Sequence, residues 1–221
     1  MSEGKEAKSD PVRATLTDAA YRLITEEGIE ALTVRRLAQE AGTSTMAVYS
    51  RFGSISAVAS EVSERAFVDF GAALTVAGTT DDPLADLMCQ GLAYLRFATA
   101  NPLLYTLMFQ YTSKEWATSH RKSLLQEGSP TDSVSGRAAF TAMAETVRRA
   151  SPADTDETAL LIHAGVVWST VHGLAMLSIA GHLGGAHDLV ARSGLVTLAA
   201  GYGVARAEAE AAFARAEKRM E

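Results

Sequence analysis

Apolar positions recur three and four residues apart in one segment after another along this chain, and strict alternation of apolar and polar positions is absent. Leu16, Ala20, Leu23 and Ile24 fall on one side of a helix predicted over residues 13–27, which Gly28 stops. Val34, Leu37, Ala38 and Ala41 do the same behind Thr33, whose hydroxyl can cap the helix. Gly42 then stands where a helix ends in a left-handed residue, and Ser44 offers a second cap for a helix over residues 45–52. Further helices are expected over 55–76, with Val58, Val62, Ala66 and Phe70 at four-residue spacing, over 84–100 up to Asn101-Pro102, over 103–111 and over 137–150. Ser151-Pro152 and Asp154 open a long helix whose end is expected at Gly184-Gly185. Residues 189–200 form another apolar helix, and 205–221 an Ala/Glu/Arg-rich tail with high helix propensity and little to bury. Residues 127–136, rich in Ser and Gly with a Pro, read as a mobile loop. The expectation is an all-α protein of about nine or ten helices without internal repeats.

The stretch from Thr33 to Phe52 carries the chemistry. Ala38 is small where two short helices cross, Gly42 makes the turn and Val48 plugs the space between them, the pattern of a helix-turn-helix. Ala47, Val48 and Phe52 point inward, which leaves Thr45, Met46, Tyr49, Ser50 and Arg51 outward or near the leading end, where a DNA major groove would meet them. A helix, a Gly, a Thr-capped helix-turn-helix with a Tyr late in its second helix, and then Phe52-Gly53-Ser54 resemble the amino-terminal domain of the TetR family of transcriptional regulators. The resemblance covers roughly residues 13–63 and implies a DNA-binding set of Thr33, Arg35, Ser44, Thr45, Met46, Tyr49, Ser50 and Arg51. Thr45 and Met46 are expected on base edges, Met46 against a thymine methyl, and Arg35 on a base or phosphate. Tyr49, Ser50, Arg51, Thr33 and Ser44 are expected on the backbone. Two positions depart from the family pattern. Ile55 stands where many relatives carry Lys, removing a phosphate contact and predicting a shallower salt dependence, and Thr43 replaces an apolar residue in the turn.

Composition adds limits. At 221 residues and 48% hydrophobic, the chain suits one DNA-binding module and one larger helical domain, divided as an arm over 1–10, a reading domain over 11–54 and a second domain over 55–221. A net charge of −6 argues against a protein that coats nucleic acid or anionic membranes indiscriminately. Residues 33–54 differ locally, with Arg35, Arg36 and Arg51 against Glu40. The arm, with Lys5 and Lys8, reads as a loose tail able to add phosphate contacts. It has no apolar run of the kind a signal peptide needs, so a cytoplasmic protein is expected. Cys89 is the only cysteine, which excludes an intrachain disulfide and reads as a small core residue.

Residues 158–187 contain no Asp, Glu, Lys or Arg and are long enough to span a bilayer, but internal histidines, several hydroxyls and no flanking basic cluster favour a helix buried between protein surfaces. Gly165, Ser169 and Gly173, spaced by four, put small residues on one face where another helix can approach. A twofold dimer is therefore expected, with Gly165, Ser169, Gly173, Leu195 and Leu198 at its interface; internal core is the competing reading. His163 and His172 face opposite ways, and His182 lies about 15 Å along the axis from His172, so no metal site is expected. Arg96, Phe97, Asn101-Pro102, Tyr105 and Met108-Phe109, followed by Trp168 and His172-Gly173, are similar to the carboxy-terminal domain of the TetR subgroup called WHG. That resemblance implies a dimerising, ligand-sensing domain without naming the ligand. Candidate pocket residues are Phe97, Tyr105, Met108, Phe109, Trp116, Trp168 and His172, aromatic or apolar walls with a few polar tips, although such stripes equally form core.

The expected function is a ligand-responsive regulator, a repressor by family habit, that binds a palindromic double-stranded operator as a homodimer and is released by a small, largely apolar effector, with no cofactor and no membrane. An architectural or partner-binding protein without an effector is the alternative. An enzyme is disfavoured, because the chain lacks a G-x-S-x-G, an H-E-x-x-H and a phosphate loop.

Overall fold

The computed structural model describes residues 10–76, 78–110, 124–129, 131 and 133–221. Among these the chain is helical without a strand, in the order α1 Pro11–Glu27, α2 Val34–Glu40, α3 Thr45–Phe52, α4 Ile55–Thr75, α5 Pro83–Ala100, α6 Pro102–Gln110, α7 Leu124–Glu127, α8 Val134–Ala150, α9 Glu157–Ile179, α10 His187–Gly201 and α11 Arg206–Arg219. The arm, including Lys5 and Lys8, and Trp116 lie outside the described residues. The chain forms two compact units, one containing the described residues up to Ala66 and those of α6 from Leu103, the other running from Phe67 to Pro102 and from α7 to the end.

In the first unit α1 begins on Asp10, whose carboxylate accepts the amides of Val12 (3.1 Å) and Arg13 (3.3 Å), with Pro11 at a position that needs no N–H. Its inner face, Leu16, Ala19, Ala20, Leu23 and Ile24, is buried. The first half of α4 belongs here and not to a second domain beginning at residue 55: Val58, Ala59, Val62 and Ala66 are buried, Thr17 donates to Glu61 at 2.6 Å, Arg13 pairs with Glu61 and Arg65 pairs with Asp18 at 2.5 Å. Arg65 also lies over the Tyr21 ring at 4.4 Å. These links tie residues 13–21 of α1 to residues 61–65 of α4, which moves the boundary into α4. Leu104, Tyr105, Leu107 and Met108 of α6 are buried as well.

In the second unit α5 is the central rod and packs against α8, α9 and α11. Phe140, Met143 and Val147 of α8 meet Ala164 and Val167 of α9 in a core edged by Leu87, Leu124, Ala144, Trp168 and Leu198. Three expectations need correction. The helix α9 ends at Ile179, not at Gly184-Gly185: Gly181 takes a φ of +75°, its amide bonds to Ser178 O and the His182 amide to Leu177 O, so the left-handed glycine closes the last turn. The loop over 127–136 is partly helical and partly buried, because Ser133 accepts the Gly136 amide at 2.8 Å and starts α8 a turn early, while Ser129 and Ser133 are covered. The tail is not idle: Ala209, Ala212, Phe213 and Ala216 are buried, and this small-residue stripe lets α11 lie close on α5.

The α11 contact is fastened by Asp86, which is only 3% exposed. It accepts from the Thr80 amide (2.9 Å) and hydroxyl (2.8 Å), from Arg149 of α8 (3.0 Å) and from Arg219 of α11 (2.8 Å). Burial alone would raise its pKa, but the Thr80 hydrogen bonds and the two guanidinium groups outweigh it and hold the carboxyl at about 2. A carboxyl whose folded pKa is depressed stabilises the fold above its unfolded value near 3.8 and stops doing so as pH falls through the folded value. Asp86→Asn should therefore cost on the order of 2 kcal/mol at neutral pH. Melting curves over a pH series should show the gap from wild type closing between about pH 4 and pH 2; equal stability of the two proteins at pH 6 would contradict the network.

Candidate functional site

The helix-turn-helix is built by two caps and one glycine. Thr33 Oγ accepts the Arg36 amide at 3.2 Å, Ser44 Oγ accepts the Ala47 amide at 3.2 Å, and Gly42 between them has a φ of +62°. A Cβ at Gly42 would meet nothing within 4 Å, so the glycine is required by backbone conformation and not by space. Leu37, Ala38 and Val48 are buried where the helices meet. The cap hydroxyls use an acceptor lone pair on these amides and keep their O–H free to donate, the chemistry a phosphate oxygen needs.

The tip of α3 is open. Met46 is 73% and Tyr49 53% exposed, and Thr45, Ser50, Arg51 and Arg35 are also exposed. Ser50 donates to Ala47 O at 3.1 Å. Arg51 is engaged within the chain, its Nε 2.5 Å from Asp10 Oδ2, and its carbonyl accepts from Arg13, whose guanidinium lies over the Phe52 ring at 4.3 Å. Sequence reasoning missed Asp10 and Arg13 as the groups that hold α3 against α1; partners 41 and 38 residues apart leave no local pattern. Arg36 pairs with Glu27 at 2.8 Å. Among the described residues Arg35 has no ion pair, so its charge is available to an anion. A protein with this exposed, doubly capped second helix belongs to the helix-turn-helix DNA-binding class.

Of the expected pocket residues, Tyr105, Met108 and Phe109 belong to the first unit, where the Tyr105 and Phe109 rings are 4.7 Å apart. Phe97, Trp168 and His172 belong to the second, in a continuous aromatic core: Phe97 on Phe70 (5.2 Å), Phe70 on Tyr94 (4.8 Å), Tyr94 Oη 3.3 Å from His172 Nδ1, and Trp168 between His172 (5.8 Å) and Phe140 (6.3 Å). Burial pushes the His172 pKa down and favours the neutral ring. None of the three lines an apolar cavity in the second unit, which has a volume of about 70 Å³ and is walled by Leu87 and Met88 of α5, Val147 of α8, Val167 of α9 and Leu195 and Leu198 of α10, with His163 and Tyr202 as polar tips. The His163 and Tyr202 rings are 4.1 Å apart, and burial raises the Tyr202 pKa. Nothing in the sequence separates these apolar stripes from ordinary core stripes.

The expected interface residues also divide. Ser169 is exposed and Gly173 has no neighbour within 4 Å of a built Cβ, so both remain on an open face with Ile162, Val166 and Leu177. Gly165 and Leu195 are corrections. A Cβ on Gly165 would come within 2.8 Å of Leu124, so its space is filled by α7 of the same chain, and Leu195 is 5% exposed and leans on Gly91 of α5. Leu198 is half-buried at the edge of the core.

Comparison with known proteins agrees with this class. The profile of bacterial regulatory proteins of the TetR family matches residues 16–62, and that of the tetracyclin repressor-like C-terminal domain matches residues 87–198. The chain belongs to the TetR family, and it is a helix-turn-helix, DNA-binding transcription regulator. The second match is to the family's C-terminal domain and does not distinguish the WHG subgroup. A search of curated proteins finds no match. Among solved structures, a protein of unknown function from Rhodococcus sp. RHA1 is 25% identical with a TM-score of 0.70, over 91% of this chain and 100% of that one. RolR in complex with resorcinol is 17% identical with a TM-score of 0.64, over 92% and 93%. PfmR from Thermus thermophilus, a TetR family transcriptional regulator, is 22% identical with a TM-score of 0.52, over 80% and 97%. At 17% and 22% the likeness is one of fold.

Gly42→Ala should lower stability by about 1 kcal/mol through the strained positive φ alone, read as a reduced midpoint in urea. An unchanged midpoint would mean that the turn does not need its left-handed residue.

Proposed function

We propose that this protein is a ligand-responsive transcriptional repressor that binds a palindromic operator as a homodimer in the cytoplasm and lets go of it when a small, largely apolar effector binds. The observation that carries the reading is the open tip of α3, where Thr45, Met46 and Tyr49 stand clear beside Arg35, which has no ion pair among the described residues. A helix of this kind enters the major groove, with Thr45 and Met46 on base edges, Arg35 on guanine or phosphate, and Tyr49, Ser50, Thr33 and Ser44 on the backbone. Arg51 reaches a phosphate only by exchanging its Asp10 partner.

Dimerisation is supported by the face of α9. It is apolar and long enough to cross a membrane, yet it packs on α5, α8 and α10, which makes it a core helix with one stripe uncovered. Ile162, Val166, Ser169, Gly173 and Leu177 form that stripe, and Leu189 and Val190 of α10 add exposed apolar surface. A second copy covers such a stripe symmetrically. Two reading heads then address half-sites about one helical turn, or a multiple, apart. An effector is supported by the apolar cavity in the second unit and by the fold shared with RolR, which was solved with resorcinol bound. Release requires that effector and DNA prefer different conformations.

Selection of bound duplexes from a random pool should return a palindrome; recovery of unrelated sequences at low salt would contradict the reading. Arg35→Ala and Tyr49→Ala should each weaken operator binding by about tenfold or more, the loss of one good contact, while the sedimentation coefficient stays that of the wild type. Val166→Glu should place a charge in the uncovered stripe and shift sedimentation to the monomer with helix content retained.

A further inference from the structure

The cavity of the second unit and the groove outside it share a wall. The groove, about 750 Å³, runs between α9 and α10 and is lined by Thr170, Leu189, Val190, Ser193 and Thr197, on the same side as the uncovered apolar surface of α10. Leu198 and Tyr202 line the groove and the cavity both. Two side chains therefore separate an internal space from the surface on which the proposed second copy packs.

The chemistry of the cavity restricts its occupant. No Asp, Glu, Lys or Arg lines it, so a carboxylate or ammonium would be desolvated there without a counter-charge. His163 and the Tyr202 hydroxyl can each donate or accept, so a single hydroxyl or carbonyl on the occupant finds a partner whichever role it takes. The size of the cavity then decides what must move. An apolar cavity of about 150 Å³ binds benzene, and a liquid water takes up about 30 Å³. At about 70 Å³ the space holds two waters as it stands, and a ring enters only if a wall gives way.

The inner wall has no slack. Leu195 already lies at 3.0 Å from the position of a Cβ on Gly91, so it is tight against α5. The outer wall has room. Tyr202 is the cap residue beyond the end of α10, Gly203 comes next at a φ of +90°, and a Cβ on Gly201 would meet nothing within 4 Å. Tyr202 and Leu198 can swing outward without breaking a helix.

We infer that the cavity between α5, α8, α9 and α10 binds a compact, neutral, largely apolar molecule carrying one hydroxyl or carbonyl, and that binding weakens the dimer by pushing Leu198 and Tyr202 into the groove. The site stands on the cavity's chemistry; its effect on assembly rests on the proposed α9–α10 interface. Ligand affinity and dimer affinity are then reciprocally linked, each lowering the other by the same factor.

The test uses the full chain with three probes: phenol, benzene and benzoate. Isothermal titration should give one phenol per chain, weaker binding of benzene and none of benzoate. Sedimentation equilibrium should show the dimer dissociation constant raised about fivefold or more at saturating phenol, the lower end of ordinary allosteric coupling. Ala150→Leu, filling the cavity from the α8 side, should weaken phenol binding about tenfold or more while leaving the dissociation constant without phenol as in wild type. Should that variant not fold, His163→Leu combined with Tyr202→Phe should bring the affinity for phenol down to that for benzene. Absence of phenol binding, equal binding of benzoate, or a dissociation constant indifferent to bound phenol would each overturn the inference. A chain monomeric at every concentration would overturn the assembly on which the coupling depends, and the phenol titration would still report on the site.

Discussion

Covering α9 is the requirement on which the second unit depends. From Thr158 to Ile179 this helix carries no Asp, Glu, Lys or Arg, and an apolar surface of that length in water is costly all the way round. The fold covers what it can with α5, α8 and α10, fills the notch at Gly165 with Leu124, and leaves one stripe from Ile162 to Leu177. In the proposed assembly a second copy does the remainder. The same packing problem explains the cavity: where α5, α8, α9 and α10 diverge, Leu, Val and Met side chains do not fill the space, and His163 with Tyr202 occupies its rim.

Charge does different work in the two units. In the second, one nearly buried carboxylate gathers Thr80, Arg149 and Arg219, so that α8 and α11 are pinned to α5 through one shared acceptor. In the first, the ion pairs lie at the surface, where each contributes little to stability but fixes orientation: Arg13 and Glu61 join α1 to α4, and Asp10 and Arg51 join α1 to α3. Their effect is to present the tip of α3 without enclosing it. The exposed helix of a DNA-binding regulator is thus carried on a unit of modest size, apart from the helices of the second unit.

The helix-turn-helix was the most legible part. Its signals are local: a hydroxyl three residues before the amide it caps, a glycine at the turn, a small residue at the crossing. Met46 and Tyr49 could be placed outward from helical period alone, and they are. Arg51 shows the limit, since its exposure was readable but its partner Asp10, across the unit, was not. In the second unit the helix bodies were legible and their uses were not. Phe97, Trp168 and His172, read as pocket wall, are half-buried and stack on Phe70, Tyr94 and Phe140, while Leu198, read as an interface residue, lines the cavity together with Leu87 and Val147.

The sequence by itself determined the helical class, the position of nearly every helix and which residues of the helix-turn-helix stand exposed, because periodicity, caps and turns act over a few residues and are written in consecutive positions. Only the tertiary structure decided that the first half of α4 belongs to the reading unit, that α11 is a buried staple, that Gly165 and Leu195 face their own chain, and where space is left between helices. Those outcomes depend on which side chains from distant segments reach one another first, and a one-dimensional pattern of apolar positions is the same whether the facing surface is a neighbour, a second copy or a void.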